Sequence, residues 1–183
     1  MRGGACSGRP RADPALAEPG DNSGGDSGIV LRAARDADGP GVIAVVAAAY
    51  AEYPGCVLDV EAEAPELKAP ASAYARKSGR FWVAADAARI LGCVACRPAP
   101  EGGLELEKLY VARAARRYGL GTRLLGLVEA EATARRAGYI TLWTDTRFKA
   151  ARAFYKAHGF RQTGLRELDD ASQSDEYGFR KEL

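Results

Sequence analysis

The stretch from Gly103 to Asp145 constrains the fold more than any other. GLELEKLYV reads as a strand, a basic glycine-containing turn follows, and Leu120, Leu124, Leu127, Val128 and Ala132 then recur as one apolar helical face. YITLWTD, from Tyr139, reads as the next strand. Upstream, IVLRAA from Ile29 reads as a strand, and Val42, Val45, Val46 and Ala49 recur at helical spacing. The acidic stretch Tyr53 to Glu66 reads as a loop, with a short helix expected over Ala69 to Lys77. FWVAAD from Phe81 and RILGCVACRP from Arg89 form a hairpin. A second helix carries Ala151, Phe154, Tyr155 and His158 on one face, and two strands around a polar loop complete the chain. Strands and helices alternate in the centre while hairpins flank them. The expectation is a mixed α/β sheet with helices on both faces.

Composition narrows what such a chain does. With 183 residues, 47% hydrophobic and 27% charged, it suits one compact domain, expected over 28–183. Residues 1–27 are rich in Gly, Pro, Asp and Ser without apolar period, and read as a disordered tail. They lack a signal peptide's apolar core, and Asp13, Glu18 and Asp21 do not suit an acid-poor presequence. No run of about 18 apolar residues exists, so no membrane partner is expected. A net charge of +2 is too small to argue for nucleic acid. Cys93 and Cys96 have C-x-x-C spacing inside an apolar strand-like run, where residues three apart face opposite sides. With no second pair to complete a tetrahedral site, they read as buried thiols, and no metal is expected. Nothing supports a disulfide framework, so the expected setting is reducing and cytoplasmic.

Leu104 and Leu106 are apolar in one period-2 phase, and Leu109 and Val111 in the other. A strand buried on one side cannot switch phase without an extra residue, which predicts a β-bulge near Glu107–Lys108; a strand covered on both faces is the alternative.

Arg116, Gly119 and Gly121 then form R-x-x-G-x-G where strand gives way to helix. The first N–H groups of a helix have no internal acceptors, and the dipole places partial positive charge there. Glycines let an anion approach the backbone, while Arg116, Arg117 and Arg123 add charge. The arrangement suits a pyrophosphate. It is not a P-loop, since no Lys precedes Thr122, and the dinucleotide fingerprint would need a glycine where Leu124 stands.

The ordered segments E-L-E-K-L-Y-V, R-R-Y-G-L-G-T-R-L-L, L-W-T-D and A-F-Y-K-A-H-G-F resemble the GCN5-related N-acetyltransferase (GNAT) superfamily, most strongly from Glu105 to Phe160. The resemblance implies an acyl-CoA N-acyltransferase fold whose central sheet splays between its fourth and fifth strands. It implies acetyl-CoA as co-substrate, with the pantetheine arm along Leu109, Tyr110 and Val111. The pyrophosphate would sit on the amides of Arg117, Tyr118, Gly119, Leu120, Gly121 and Thr122. Arg117 stands where many members have Gly, and Asp145 where many carry Asn; Asp145 can cap the following helix but loses an amide's contact to the cofactor.

Transfer to an amine requires a base, an oxyanion donor and an acid for the thiolate. Tyr155 matches the family's tyrosine and is expected to be the acid. Glu105 matches the family's strand glutamate and is the expected base, with Glu107 or an ordered water as alternatives. The oxyanion donor would be an amide close to Leu109 or Tyr110, freed by the bulge. His158 reads as a helix-end residue complementing the dipole, with Gly159 as cap. Asp59, Glu61, Glu63 and Glu66 form one acidic cluster and Asp169, Asp170, Asp175 and Glu176 another; both read first as solvated loops, and would favour a cationic amine if they lined the acceptor side. Tyr53 and Trp143 read first as core packing, with aromatic walls of the acceptor side as the alternative.

The chain is therefore expected to be an acetyl-CoA-dependent N-acetyltransferase acting on a primary amine of a small molecule or protein. The alternative is a catalytically degenerate acetyl-CoA sensor. Family members often pair, so the resemblance admits a homodimer, and the sequence leaves the oligomeric state open.

Overall fold

The computed structural model describes residues 28–183; the tail assigned to 1–27, and Cys6 within it, lie outside the described residues. Seven strands form one sheet in the order β1-β2-β3-β4-β5-β7-β6. They are β1 (Val30–Ala33), β2 (Arg80–Ala85), β3 (Ile90–Ala99), β4 (Gly103–Val111), β5 (Tyr139–Asp145), β6 (Arg161–Glu167) and β7 (Asp175–Glu182). Every neighbouring pair is antiparallel except β4 and β5. Four helices cover the sheet: α1 (Gly39–Tyr50), α2 (Pro70–Arg76), α3 (Leu120–Ala134) and α4 (Lys149–Ala157). No described helix is long and apolar enough to cross a membrane.

Period-2 alternation in β3 and β4 divides the core. Val94, Cys96, Leu104 and Leu106 face α3, while Cys93 and Ala95 face Val42 and Val46 of α1 and Tyr74 of α2. The C-x-x-C pair is thus split between the two faces, and burial pushes each free thiol up to about 12. The face of α3 differs slightly from expectation. Leu125 is fully buried beside Leu124 and Val128, whereas Leu127 packs at the margin.

Among the described residues, the only parallel pairing holds for Leu104 with Ile140 and Glu105 with Thr141. Beyond it β5 stays paired with β7 along its whole length, and β4 stays with β3. The two strands therefore part after Glu105, leaving the rest of β4 without a partner on that side. The bulge lies in this half: Glu107 pairs with Ala95 and Tyr110 with Cys93, so Lys108 and Leu109 together oppose Val94. Lys108 takes a left-handed conformation (φ 54°), which accommodates the extra residue and resets the phase of Leu109 and Val111.

Candidate active site

Two concavities occupy the gap between the parted strands. The larger, about 340 Å³, runs from the N-terminus of α3 past Leu109, Tyr110 and Val111 to α4. The smaller, about 100 Å³, lies between β4, the end of β5 and the β6–β7 loop. Both reach Leu109, Tyr110, Phe148, Ala151 and Tyr155, so they meet at one point.

At the outer end of the groove, the turn into α3 exposes its backbone. Gly119 adopts φ 72° as N-cap, with no side-chain cap, and Arg117 adopts φ 71°. The first turn closes with the Arg123 amide donating to Gly119. Among the described residues, no acceptor engages the amides of 117–122. Those donors stand at the positive end of a 15-residue helix. Gly121 lines the groove, and a Cβ there would stand 3.4 Å from the Phe154 ring.

At the inner end, Tyr155 is 6% exposed and packed among Phe154, Phe160 and Phe179. Among the described residues its hydroxyl has no hydrogen-bond partner. Burial raises its pKa above the ordinary phenol value, so it keeps its proton at neutral pH. Tyr53 and Phe148, with ring centroids 4.6 Å apart, also wall the groove.

Residues 77–162 match the acetyltransferase (GNAT) domain profile. That segment is similar to a GNAT acetyltransferase domain. The chain's fold is that of a GNAT-family acetyltransferase from Staphylococcus aureus Mu50 (TM-score 0.73, 20% identity, 85% of this chain and 99% of that one). It also aligns with yncA of Salmonella typhimurium, solved with acetyl-CoA (TM-score 0.67, 17% identity, 86% and 95% covered). A curated relative from Xenopus tropicalis, "Probable N-acetyltransferase 14", is 37% identical over 102 residues, 55% of this chain. The chain spans about half the length of that relative.

The expected site residues divide between the two concavities. Leu109, Tyr110, Val111, Arg116, Arg117, Gly119, Leu120, Gly121, Thr122 and Tyr155 line the groove. The Tyr118 side chain does not; it is 77% exposed, leaving only its amide at the turn. Arg116 is not a free charge. Its guanidinium grips Glu52 at 2.6 and 2.7 Å, and its Nε donates to the Val111 carbonyl at 3.0 Å, pinning the end of β4 to the end of α1.

Asp145 lines the smaller cavity instead of the groove. It caps no helix: its carboxylate takes the amide and guanidinium of Arg147, while Phe148 is the N-cap of α4. In each case an ion pair takes up the side chain's charge: Glu52 for Arg116 and Arg147 for Asp145.

The two strand glutamates share Arg97. Glu105 pairs with it at 2.5 Å and lines neither concavity. Burial raises the Glu105 pKa, with Arg97 opposing. Glu107 lines the smaller cavity, accepting from Arg97 Nε at 2.8 Å and the Tyr74 hydroxyl at 2.7 Å. Burial alone would raise its pKa, but those hydrogen bonds outweigh it and the net shift is downward. Trp143, expected in the core, walls the smaller cavity, with the Arg166 guanidinium over its ring at 4.2 Å. His158 follows α4, its Nδ1–H donating to the Phe154 carbonyl at 2.8 Å. Its Nε2 also reaches Thr122 Oγ1 at 3.1 Å, tying the end of α4 to the glycine turn.

These pairs set an acid response. Burial would raise the Asp145 pKa, but Arg147 holds it below its ordinary value, and Glu107 is likewise depressed. Such groups stabilise the fold above their unfolded pKa values, about 4, and that contribution is lost as pH falls through the folded values. Glu105, shifted upward, has the opposite sign and offsets part of the loss. Thermal melting is expected to hold between pH 7 and about 5 and to fall below about 4. Asp145→Asn should lower Tm at pH 7 and flatten that acid limb; an unchanged limb would exclude the Asp145–Arg147 pair as its source.

Proposed function

We propose that this chain transfers an acetyl group from acetyl-CoA to a primary amine of a small molecule or protein, in a reducing, cytoplasmic setting. The observation that carries this reading is the meeting of groove and cavity at Tyr155, between parted strands. The groove suits the donor. Its outer end offers free amides to a diphosphate, and its walls offer an apolar channel and unpaired β4 backbone to an amide-bearing arm. Bound acetyl-CoA would supply an activated thioester carbonyl where groove and cavity join.

The chain's own residues then handle protons and charge. A primary ammonium of pKa about 10.4 must lose a proton before its nitrogen attacks. Glu107, ionised and lining the cavity, attracts the ammonium and takes that proton directly or through a water. Each of its oxygens accepts one hydrogen bond in the structure and keeps a lone pair. Glu105 acts through the Arg97 it shares with Glu107, as a positioning residue. An amide beside Leu109 or Tyr110, released by the bulge, stabilises the oxyanion. As the C–N bond forms and the C–S bond breaks, the nitrogen releases its surplus proton to solvent, and Tyr155 protonates the departing thiolate and is reprotonated from solvent.

The test is release of free CoA thiol with a panel of amines, amino acids, polyamines, aminoglycosides and peptides. Glu107→Gln is expected to lower kcat at pH 7 by about one to two orders of magnitude and to recover towards pH 10, where solvent deprotonates the amine. If Glu105→Gln shows that pattern and Glu107→Gln does not, the two assignments are exchanged. A second reading, an acetyl-CoA-binding sensor, is favoured by the engagement of both glutamates with Arg97. Tight acetyl-CoA binding without thiol release for any amine would select it.

A further inference from the structure

From the acetyltransferase reading of the site, we infer that the acceptor is a linear alkane diamine, held by its distal ammonium at Glu63 and Asp170 while its other amine reaches Tyr155. The acceptor side is roofed by two loops clasping each other. The Val57 amide donates to Ser172 Oγ at 2.8 Å, that hydroxyl donates back to the Val57 carbonyl at 3.1 Å, and the Ala171 amide donates to Glu63 Oε1 at 2.7 Å. Both loops contribute acids to the cavity beneath: Glu63 from the first, Asp170 from the second.

Charge at this end of the sheet is unevenly settled. Arg97 is taken by Glu105 and Glu107, Lys108 by Glu66, Arg147 by Asp145 and Arg166 by Glu176. Among the described residues, Glu63 and Asp170 have no ion-pair partner. Their carboxylates accept only backbone amides, from Ala171 and Ser174. Tyr155, more than nine-tenths buried and with its hydroxyl unpartnered among the described residues, lines the same cavity. A cavity lined by two carboxylates without ion pairs and by a phenol without a hydrogen-bond partner fits a ligand cationic at one end and nucleophilic at the other.

Size selects the shape. The cavity holds about 100 Å³, less than the roughly 150 Å³ void that accepts a benzene ring. That favours an unbranched methylene chain over a ring. The second ammonium stays protonated at neutral pH, so it keeps its attraction to Glu63 and Asp170 while the first is deprotonated for attack.

The test compares 1,3-diaminopropane to 1,6-diaminohexane with the n-alkylamine of equal heavy-atom count for each, measured by thiol release, alongside cyclohexylamine and Nα-acetyl-lysine amide. At least one diamine should exceed its monoamine by tenfold or more in kcat/KM. Glu63→Gln and Asp170→Asn keep an oxygen for the backbone amides, and each should shrink that ratio to within about threefold. Calorimetry with acetyl-CoA on the same preparations separates two failures. Absence of acetyl-CoA binding defeats the acetyltransferase reading. Intact binding overturns the diamine inference if no diamine reacts, if every monoamine matches its diamine, or if the ring amine or the lysine amide outruns them all. Ratios unchanged in both variants overturn the roles of Glu63 and Asp170.

Discussion

Gly121→Trp is expected to weaken acetyl-CoA binding by at least two orders of magnitude in calorimetry while leaving the fold intact. Gly121 sits in the first turn of α3 and lines the groove, and a Cβ added there meets the Phe154 ring at 3.4 Å and Val111 at 4.0 Å, both ordinary contacts. A methyl group would cost little, whereas an indole must project into the space proposed for the cofactor. A loss of about 2.7 kcal/mol corresponds to that hundredfold change, and far-UV circular dichroism should be unchanged. Gly119→Ala forms the control of opposite kind. Its φ of 72° makes any side chain strained, by about 1 kcal/mol, but the space beside it is open. That variant should lower Tm more than affinity. Undiminished affinity in the tryptophan variant would remove the glycine turn from cofactor binding.

Tyr155→Phe should lower kcat by about 10²–10³, within the range of general acid contributions, with acetyl-CoA affinity changed less than threefold. The phenol packs against Phe154, Phe160 and Phe179, so phenylalanine preserves the packing and removes only an unpartnered hydroxyl. Removing a hydroxyl that makes no bond should cost no stability, and a Tm within a degree or two of the parent is expected. An acceptor of unchanged turnover would exclude Tyr155 as the acid. A large fall in Tm would instead make it a structural residue.

Much of the fold was legible because its signals are local. Period-2 and helical spacing, punctuated by Gly and Pro, placed the strands and helices, and the phase switch in GLELEKLYV put a bulge near Glu107–Lys108, one residue from its place at Lys108 and Leu109. The glycine turn was legible for the same reason: N–H groups at a helix start are free by construction. Side-chain pairing was not legible. Arg116 reaches Glu52 across 64 residues, and Arg97 gathers Glu105 and Glu107 because β3 and β4 are antiparallel neighbours in that register. A charged side chain has many candidate partners in sequence and takes whichever the packed backbone brings within reach. Tyr53 and Trp143 illustrate the complementary difficulty, since an aromatic that walls a groove and one that fills a core have the same local pattern.

The most direct test of the account is a titration of the isotopically labelled protein with CoA, followed through its backbone amide resonances. The account predicts the largest shifts at residues 117–122 and along Leu109 to Val111, with β1 and α2 unmoved. Saturating CoA that leaves those amides unshifted, or that shifts a different face of the sheet, would contradict it.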